Sequence, residues 1–517
     1  MDFNHLLIWI ICFSCIIFLL RAARSSLIHN RGWIVASSSI LAITLGISLL
    51  DPAAASLIGG ALWAIFLLLP AMGFSLVSQL VYQKRYGEAR KLASCLRWLH
   101  PADGWLEQPK LLLALEMAQC GKLAEATQII KRYQRSATTL ARHAQALLYW
   151  MRADWEKCLL WIRENVPDQV LFKEHNLLVY YLRALGETGD LNGLLKEIVR
   201  CDRSLEKTGE GIRLNLVRMF ALAFCGQTEQ VRRLFDGPLN VYSENTQVFW
   251  LATAQMTAGN EKADREQLLA LRQGNDLILN NAIDWRLSQP FVKPERVLTD
   301  SSWQILYHIQ IELNQEAKYR NLTNFSRKNA YATYGLIGLN LLFFALEIVL
   351  GGSENLETLY RLGALVPEEV WLGQWWRLFS ANFLHFGWLH LLTNMLGLYF
   401  LGPFVEFNLG KGRYLLAYLV SGIGSMLVLS LLAPPNQILV GASAAIMGLM
   451  GAIGAILFRG WRQEKSPIAA KRLRVVILII GLQFIFDITT PKVSFLSHLL
   501  GLIWGLFTGS LFLLRFE

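Results

Sequence analysis

Nine apolar runs, three near the N-terminus and six near the C-terminus, bracket a charged middle, and this distribution limits the fold more than any other feature of the chain. The first three are His5–Leu20, Trp33–Leu50 and Leu57–Val81. The other six lie at about 331–351, 387–405, 414–433, 438–458, 473–489 and 494–514. Runs of this length can cross the hydrocarbon core of a bilayer as helices. In lipid every backbone N–H and C=O must be satisfied internally, so helices are the expected form. The chain of 517 residues is 54 % hydrophobic, but its apolar residues are gathered in two blocks. The expected fold is therefore all-α and polytopic: 1–81 as three N-terminal transmembrane helices, 82–300 as a helical insert, 301–330 as a linker, and 331–517 as a six-span bundle.

Charge placement orients these runs. Arg21, Arg24 and Arg31 follow the first run, and Lys84, Arg85, Arg90 and Lys91 follow the third, whereas the link 51–56 carries no Lys or Arg. The positive-inside rule then puts 21–32 and the insert in the cytoplasm. With no small-residue cleavage site before a soluble domain, the first run reads as an uncleaved anchor. Lys411 and Arg413, and the cluster Arg459, Arg462, Lys465, Lys471, Arg472 and Arg474, fall on the same side by the same rule. The net charge of +10 thus belongs to a membrane surface rather than to nucleic acid. Cys12 and Cys15 form a C-x-x-C inside an apolar run, and the other five cysteines show neither zinc spacing nor a disulfide framework.

A turn signal recurs through the insert at Gly87, Gly121, Ala153, Gly189, Gly226 and Gly259, at intervals of 34, 32, 36, 37 and 33 residues. Apolar-periodic stretches flank each one. A period near 34 with helix–turn–helix units resembles tetratricopeptide repeats. Such units stack into an α-solenoid with a binding face, so this cytoplasmic domain is expected to bind protein partners rather than to catalyse.

The chemistry-bearing residues lie in the C-terminal block. Gly441-Ala442-Ser443-Ala444-Ala445-Ile446-Met447-Gly448 opens one apolar run. Small residues here have two readings: close helix packing, or a nucleophile, Ser443, with room for a substrate. His498 stands 55 residues later, early in the last run, with Gly501 and Gly505 on its own helical face. An ionisable group inside a membrane span is costly and points to function. A neutral imidazole can serve as general base to a serine, although a Ser–His pair can also be a plain interhelical hydrogen bond. His390 and Asn394 share a face of the second of the six runs, with His385 just before it. Their N–H groups suit an oxyanion. A metal site is the rival reading, weakened by the absence of a carboxylate or thiolate close by in the sequence.

Taken together, residues 331–517 resemble the rhomboid intramembrane serine proteases of the six-span bacterial type. The stretches that carry the resemblance are Trp376-Arg377, His385, His390-Leu391-Leu392-Thr393-Asn394, Leu401-Gly402 through Glu406, Gly441-Ala442-Ser443, and His498-Leu499-Leu500-Gly501 with Gly505. The resemblance implies Ser443 as nucleophile and His498 as base, in a dyad without an acid. It also implies an oxyanion site made by the Ser443 backbone N–H, His390 and Asn394, supported by Gly441, Ala444, Met447, His385 and Gly501. No metal or nucleotide cofactor is implied. Expected partners are transmembrane protein substrates, cut near the extracytoplasmic face of the cell membrane, and the bilayer itself. Two positions depart from the family pattern. Ala444 stands where a glycine is usual, and Met447 stands where an aromatic often stacks on the base, so the histidine is expected to be less firmly oriented. The rival from another class is a catalytically idle membrane scaffold. A transporter fits less well, because the six runs show no paired interrupted helices.

Overall fold

A computed structural model describes residues 3–24, 30–103, 105–133, 138–207, 211–259, 261–289, 292–320, 329–490 and 493–514. Among them the protein is helical. The one β contact is an antiparallel bridge between Leu365 and Leu439. The chain forms two compact units, Leu7–Gln310 and Ile311–Glu517, the second of which also takes in Met1–Leu6 at the start of the first helix.

The first unit begins with three long apolar helices: α1 (Phe3–Arg24), α2 (Arg31–Ser48) and α3 (Pro52–Tyr82). Asp51 caps α3, its Oδ1 accepting from the Ala53 N–H at 2.8 Å, and Pro52 follows at the first helical position, where its missing N–H costs nothing. Ile11, Cys15, Ile40 and Leu67 pack together between the three. Cys15 is thus a core residue.

Helix pairs follow. Gln108–Gln119 with Leu123–Lys131, Thr139–Arg152 with Trp155–Asn165, His175–Glu187 with Leu191–Lys207, Gly211–Phe224 with Thr228–Asp236, and Glu244–Thr257 with Glu261–Leu271. Each pair turns on a residue with positive φ: Gly121, Ala153, Gly189, Gly226 and Gly259. A left-handed residue closes the first helix and lets the chain reverse. The first expected signal is displaced: Lys84, not Gly87, takes the positive φ, and Gly87 lies inside the helix Tyr86–Leu96. A buried charge cluster ties distant parts of this unit. Glu187 accepts from Arg183 Nε at 3.2 Å and pairs with Arg286. The Arg183 guanidinium also lies over the rings of Trp155 and Trp250 at 4.5 and 4.9 Å.

The expected linker 301–330 is corrected in part. Asp300–Arg320 is one helix, whereas 321–328 lies outside the described residues. Within the second unit Tyr319 is buried and joins the main core cluster, because it fills the space over Gly460.

That unit contains α4 (Tyr331–Val349), α5 (Trp388–Leu409), α6 (Lys411–Leu432), α7 (Ser443–Arg462), α8 (Pro467–Thr489) and α9 (Phe495–Leu514). With α1–α3, eight helices among the described residues are long and apolar enough to span a membrane. The ninth expected span, α8, is long enough but carries Lys471, Arg472, Arg474 and Asp487. Helix α7 is the centre of the bundle, with 83 % of its apolar stretch buried in protein. Its glycines and alanines permit this. At Gly501 and Gly505 on α9 an added Cβ would run into the carbonyls of Ala444 and Gly448 on α7, so only glycine allows the two backbones to touch.

Two charged side chains hold the rest in place. Glu406 on α5 caps α4 from outside, its carboxylate accepting from the N–H groups of Ala332 and Thr333 at 3.0 and 2.9 Å. These are orphan donors at a helix N-terminus, where negative charge is favoured. Arg377 is buried in the link between α4 and α5. Its Nη1 donates to the carbonyls of Tyr360 and Ala364, both at 2.8 Å. The same link leaves Trp371, Trp375 and Trp376 half exposed, as suits a bilayer interface.

Candidate active site

Ser443 is the first residue of α7, and no side chain caps that helix. The first backbone bond back is from the Ile446 N–H to the Ala442 carbonyl at 3.0 Å. The N–H of Ser443 is therefore one of the orphan donors at the positive end of the helix dipole. The segment before it is held extended by the Leu365–Leu439 bridge and by the Gly441 N–H, which donates to the Ala381 carbonyl at 2.9 Å. Gly441 has φ +130°, and a Cβ there would lie 2.8 Å from His390 Cε1 and 2.9 Å from Nε2. Glycine is required on both counts, by the backbone and by the imidazole against it.

Helices α5 and α7 run parallel. Gly397 stands against Ile446, with an added Cβ 3.2 Å from Ile446 Cγ2. Three residues back along each helix, the same 49-residue offset sets Asn394 level with Ser443. The Asn394 amide is buried, and its Nδ2 has no hydrogen-bond partner among the described residues. His390 Nδ1 accepts from the Phe386 N–H at 3.4 Å, which leaves the ring proton on Nε2, the nitrogen turned toward Gly441. The contacts thus put His390 Nε2 beside Gly441, and the helix register puts Asn394 level with Ser443. His385 lies behind His390, ring centroids 5.2 Å apart. It is anchored by its own N–H, which donates to Glu347 Oε1 at 2.8 Å.

On the other side, α7 and α9 are parallel with a constant 57-residue offset: Ala444 meets Gly501, Gly448 meets Gly505 and Ala452 meets Gly509. The same register sets His498 level with Gly441, just above Ser443. His498 is buried. Ser443 Oγ makes no hydrogen bond to it; in resting sites such contacts are often long and tighten with substrate. Met447 is buried one turn below the serine, in a cluster with Met450, Leu502 and Phe484. No aromatic ring stacks on His498 among the described residues.

One expectation is corrected. The sequence reading had no acid beside the base, yet the Asp487 carboxylate lies 2.7 Å from His498 Nδ1. Asp487 sits near the end of α8, 11 residues before His498, and α8 packs beside α9 so that its carboxylate meets the ring. An ionisable residue in an apolar run was the available signal, but which way it faces depends on the rotation of α8 in the bundle. Among the described residues, no three His, Cys, Asp or Glu side chains converge to hold a metal ion.

Comparison with known proteins agrees with the resemblance read from the sequence. Residues 372–515 match the family described as Rhomboid domain. The chain is 37 % identical over 179 residues to Rhomboid protease GluP of Bacillus subtilis (34 % of this chain, 34 % of that protein). It is 36 % identical over 170 residues to RHOMBOID-like protein 5 of Arabidopsis thaliana (33 % and 53 %). It is 33 % identical over 134 residues to the putative rhomboid protease YdcA of Bacillus subtilis (26 % and 65 %). The chain spans between a third and two thirds of the length of these relatives. It is a multi-pass membrane protein that carries a rhomboid domain.

Proposed function

We propose that this rhomboid-domain protein is an intramembrane serine endopeptidase, with Ser443 as nucleophile and His498 as general base. The observation that supports the reading is the helix register that sets His498 and Asn394 level with a serine at a helix N-terminus, with His390 Nε2 against Gly441. His498 Nε2 takes the Ser443 proton as Oγ attacks the scissile carbonyl carbon. The carbonyl oxygen becomes an oxyanion, held by the Ser443 N–H, His390 Nε2–H and Asn394 Nδ2–H. Each such donor contributes about 3–4 kcal/mol in comparable sites. His498 then passes its proton to the leaving amine as the C–N bond breaks, leaving an acyl-enzyme that water hydrolyses by the same route in reverse. No step needs a cofactor.

Substrates are transmembrane proteins, cut near the extracytoplasmic face of a bacterial cell membrane. The basic loops support that sidedness, and with it a cytoplasmic 82–300 region that recruits protein partners. Cleavage of a model transmembrane substrate in proteoliposomes, together with labelling by a fluorophosphonate, tests the assignment. Wild type is expected to cleave and to be labelled at Ser443, and Ser443→Ala to do neither while remaining folded. Cleavage by the folded Ser443→Ala protein overturns the nucleophile assignment. A folded wild type that is neither labelled nor active against any transmembrane substrate favours an idle scaffold.

A further inference from the structure

We propose that Asp487 is a positioning residue for His498, a buried acid that orients the base of the Ser443–His498 dyad. This rests on the proteolytic reading above. The carboxylate is buried, with its side chain closed to solvent. Its Oδ2 lies 2.7 Å from His498 Nδ1, and its Oδ1 accepts from Gln483 Nε2 at 2.8 Å, one turn back on α8. Among the described residues it takes no backbone N–H.

A carboxylate in an apolar helix is expensive unless it is paired, and a leucine would satisfy the helix as well. The pairing names the function. An ionised carboxylate only accepts hydrogen bonds, so the ring hydrogen goes to Nδ1 and the Nε2 lone pair is left for the Ser443 proton. When that proton transfers, Oγ–H breaks, Nε2–H forms, and the ring becomes an imidazolium with a carboxylate 2.7 Å from its other nitrogen. Asp487 stabilises that cation and keeps its own charge; it does not take the proton. It also fixes the plane of the ring. Among the described residues no aromatic stacks on His498, Met447 packs against Leu502 instead, and this is the one hydrogen bond the His498 side chain makes.

Gln483 sharpens the test. In Asp487→Asn the Gln483 amide still donates to Oδ1, which turns the new Nδ2–H toward His498 Nδ1. That contact favours the tautomer protonated on Nε2, the wrong one for a base. The isosteric variant therefore keeps its packing and loses its function. Asp487→Asn in full-length protein is expected to lower kcat by about 10²–10⁴-fold, with KM within about threefold and a parallel loss in fluorophosphonate labelling of Ser443. Asp487→Glu restores a carboxylate and is expected to recover at least about tenfold over the asparagine variant. The ¹⁵N spectrum of labelled histidine in the folded protein supplies a readout independent of activity. Wild type and Ser443→Ala should show His498 protonated at Nδ1, and Asp487→Asn should shift it to Nε2. An Nε2–H tautomer in folded wild type overturns the proposal, as does a folded Asp487→Asn with kcat within about threefold of wild type. A protein with no Ser443-dependent cleavage refutes the protease reading instead, and the ring spectrum still decides the Asp487–His498 pair.

Discussion

Gly441→Ala tests the close approach on which the oxyanion site depends. A Cβ at 441 would lie 2.8 Å from His390 Cε1 and 2.9 Å from Nε2. Carbon atoms reach their best separation only at about 3.5 Å, so the ring must retreat by roughly 0.6 Å or the segment must rotate. Two effects follow. The backbone at φ +130° is one that L side chains rarely adopt, and holding alanine there costs about 1–3 kcal/mol. The ring movement stretches a hydrogen bond that is best near about 2.9 Å to about 3.5 Å, where little of it remains. Losing one oxyanion donor lowers kcat by about 10²–10³-fold. The expected result is kcat down by about 10²-fold with KM within about threefold, and a Tm lower by a few degrees. Initial rates on a transmembrane substrate in proteoliposomes and thermal unfolding in detergent measure the two. The double variant with His390→Ala makes the comparison decisive. Once the ring is gone its displacement cannot matter, so the double variant should be no slower than His390→Ala alone. A folded Gly441→Ala with kcat within about threefold of wild type, or losses that simply add, would show that the ring is not held against Gly441 as a donor.

Asn394→Ala should lower kcat by about 10²-fold without lowering Tm, because its buried Nδ2 has no protein partner to lose; a large Tm drop would make the residue structural. Glu187→Ala strands two buried guanidiniums, Arg183 and Arg286, and should destabilise the first unit by about 3–5 kcal/mol, read as a loss of cooperative unfolding or a much lower Tm. A fragment starting at Ile311 should keep kcat on a generic substrate within about an order of magnitude of the full chain. One starting at Phe325 loses the buried Tyr319 ring and should be less stable by about 3 kcal/mol, so equal Tm values would refute that role for the tyrosine.

How much of this was legible in the sequence depends on whether a feature is set along one helix or between helices. The long apolar helices were readable because the hydrocarbon demands length and composition, both one-dimensional. The turns at Gly121, Ala153, Gly189, Gly226 and Gly259 were readable because a left-handed residue must follow a helix that reverses. Gly87 misled because its Gly-Glu-Ala pattern is that of a helix start, and the preceding Lys84 tolerates the positive φ instead. The helix Asp300–Arg320 was not legible because basic residues near Arg320 signal a membrane flank without forbidding helix. Depth in the bundle could be matched, as for Ser443 and His498, since residue counts from a span's end measure it. Rotation could not. Whether Asp487 meets His498 or faces outward is an azimuth set by packing α8 against its neighbours, and no local pattern encodes it.

The buried carboxylates of the rhomboid-domain unit make the same point about function. Among the described residues three stand in its long helices, and each accepts from a defined donor. Glu406 takes the N–H groups of Ala332 and Thr333 and the Thr333 hydroxyl. Glu347 takes the N–H of His385. Both satisfy backbone donors that would otherwise be buried unpaired, one at the start of α4 and one beside the turn into α5, so architecture accounts for them. Asp487 takes none. Its two oxygens meet only side chains, the Gln483 amide and the His498 imidazole. Removing it exposes no backbone group, and an apolar replacement would relieve the helix of a charge. What it does that a leucine could not is hold one histidine in one plane with one nitrogen protonated. In a bundle where each other buried charge secures the chain, this one secures the base.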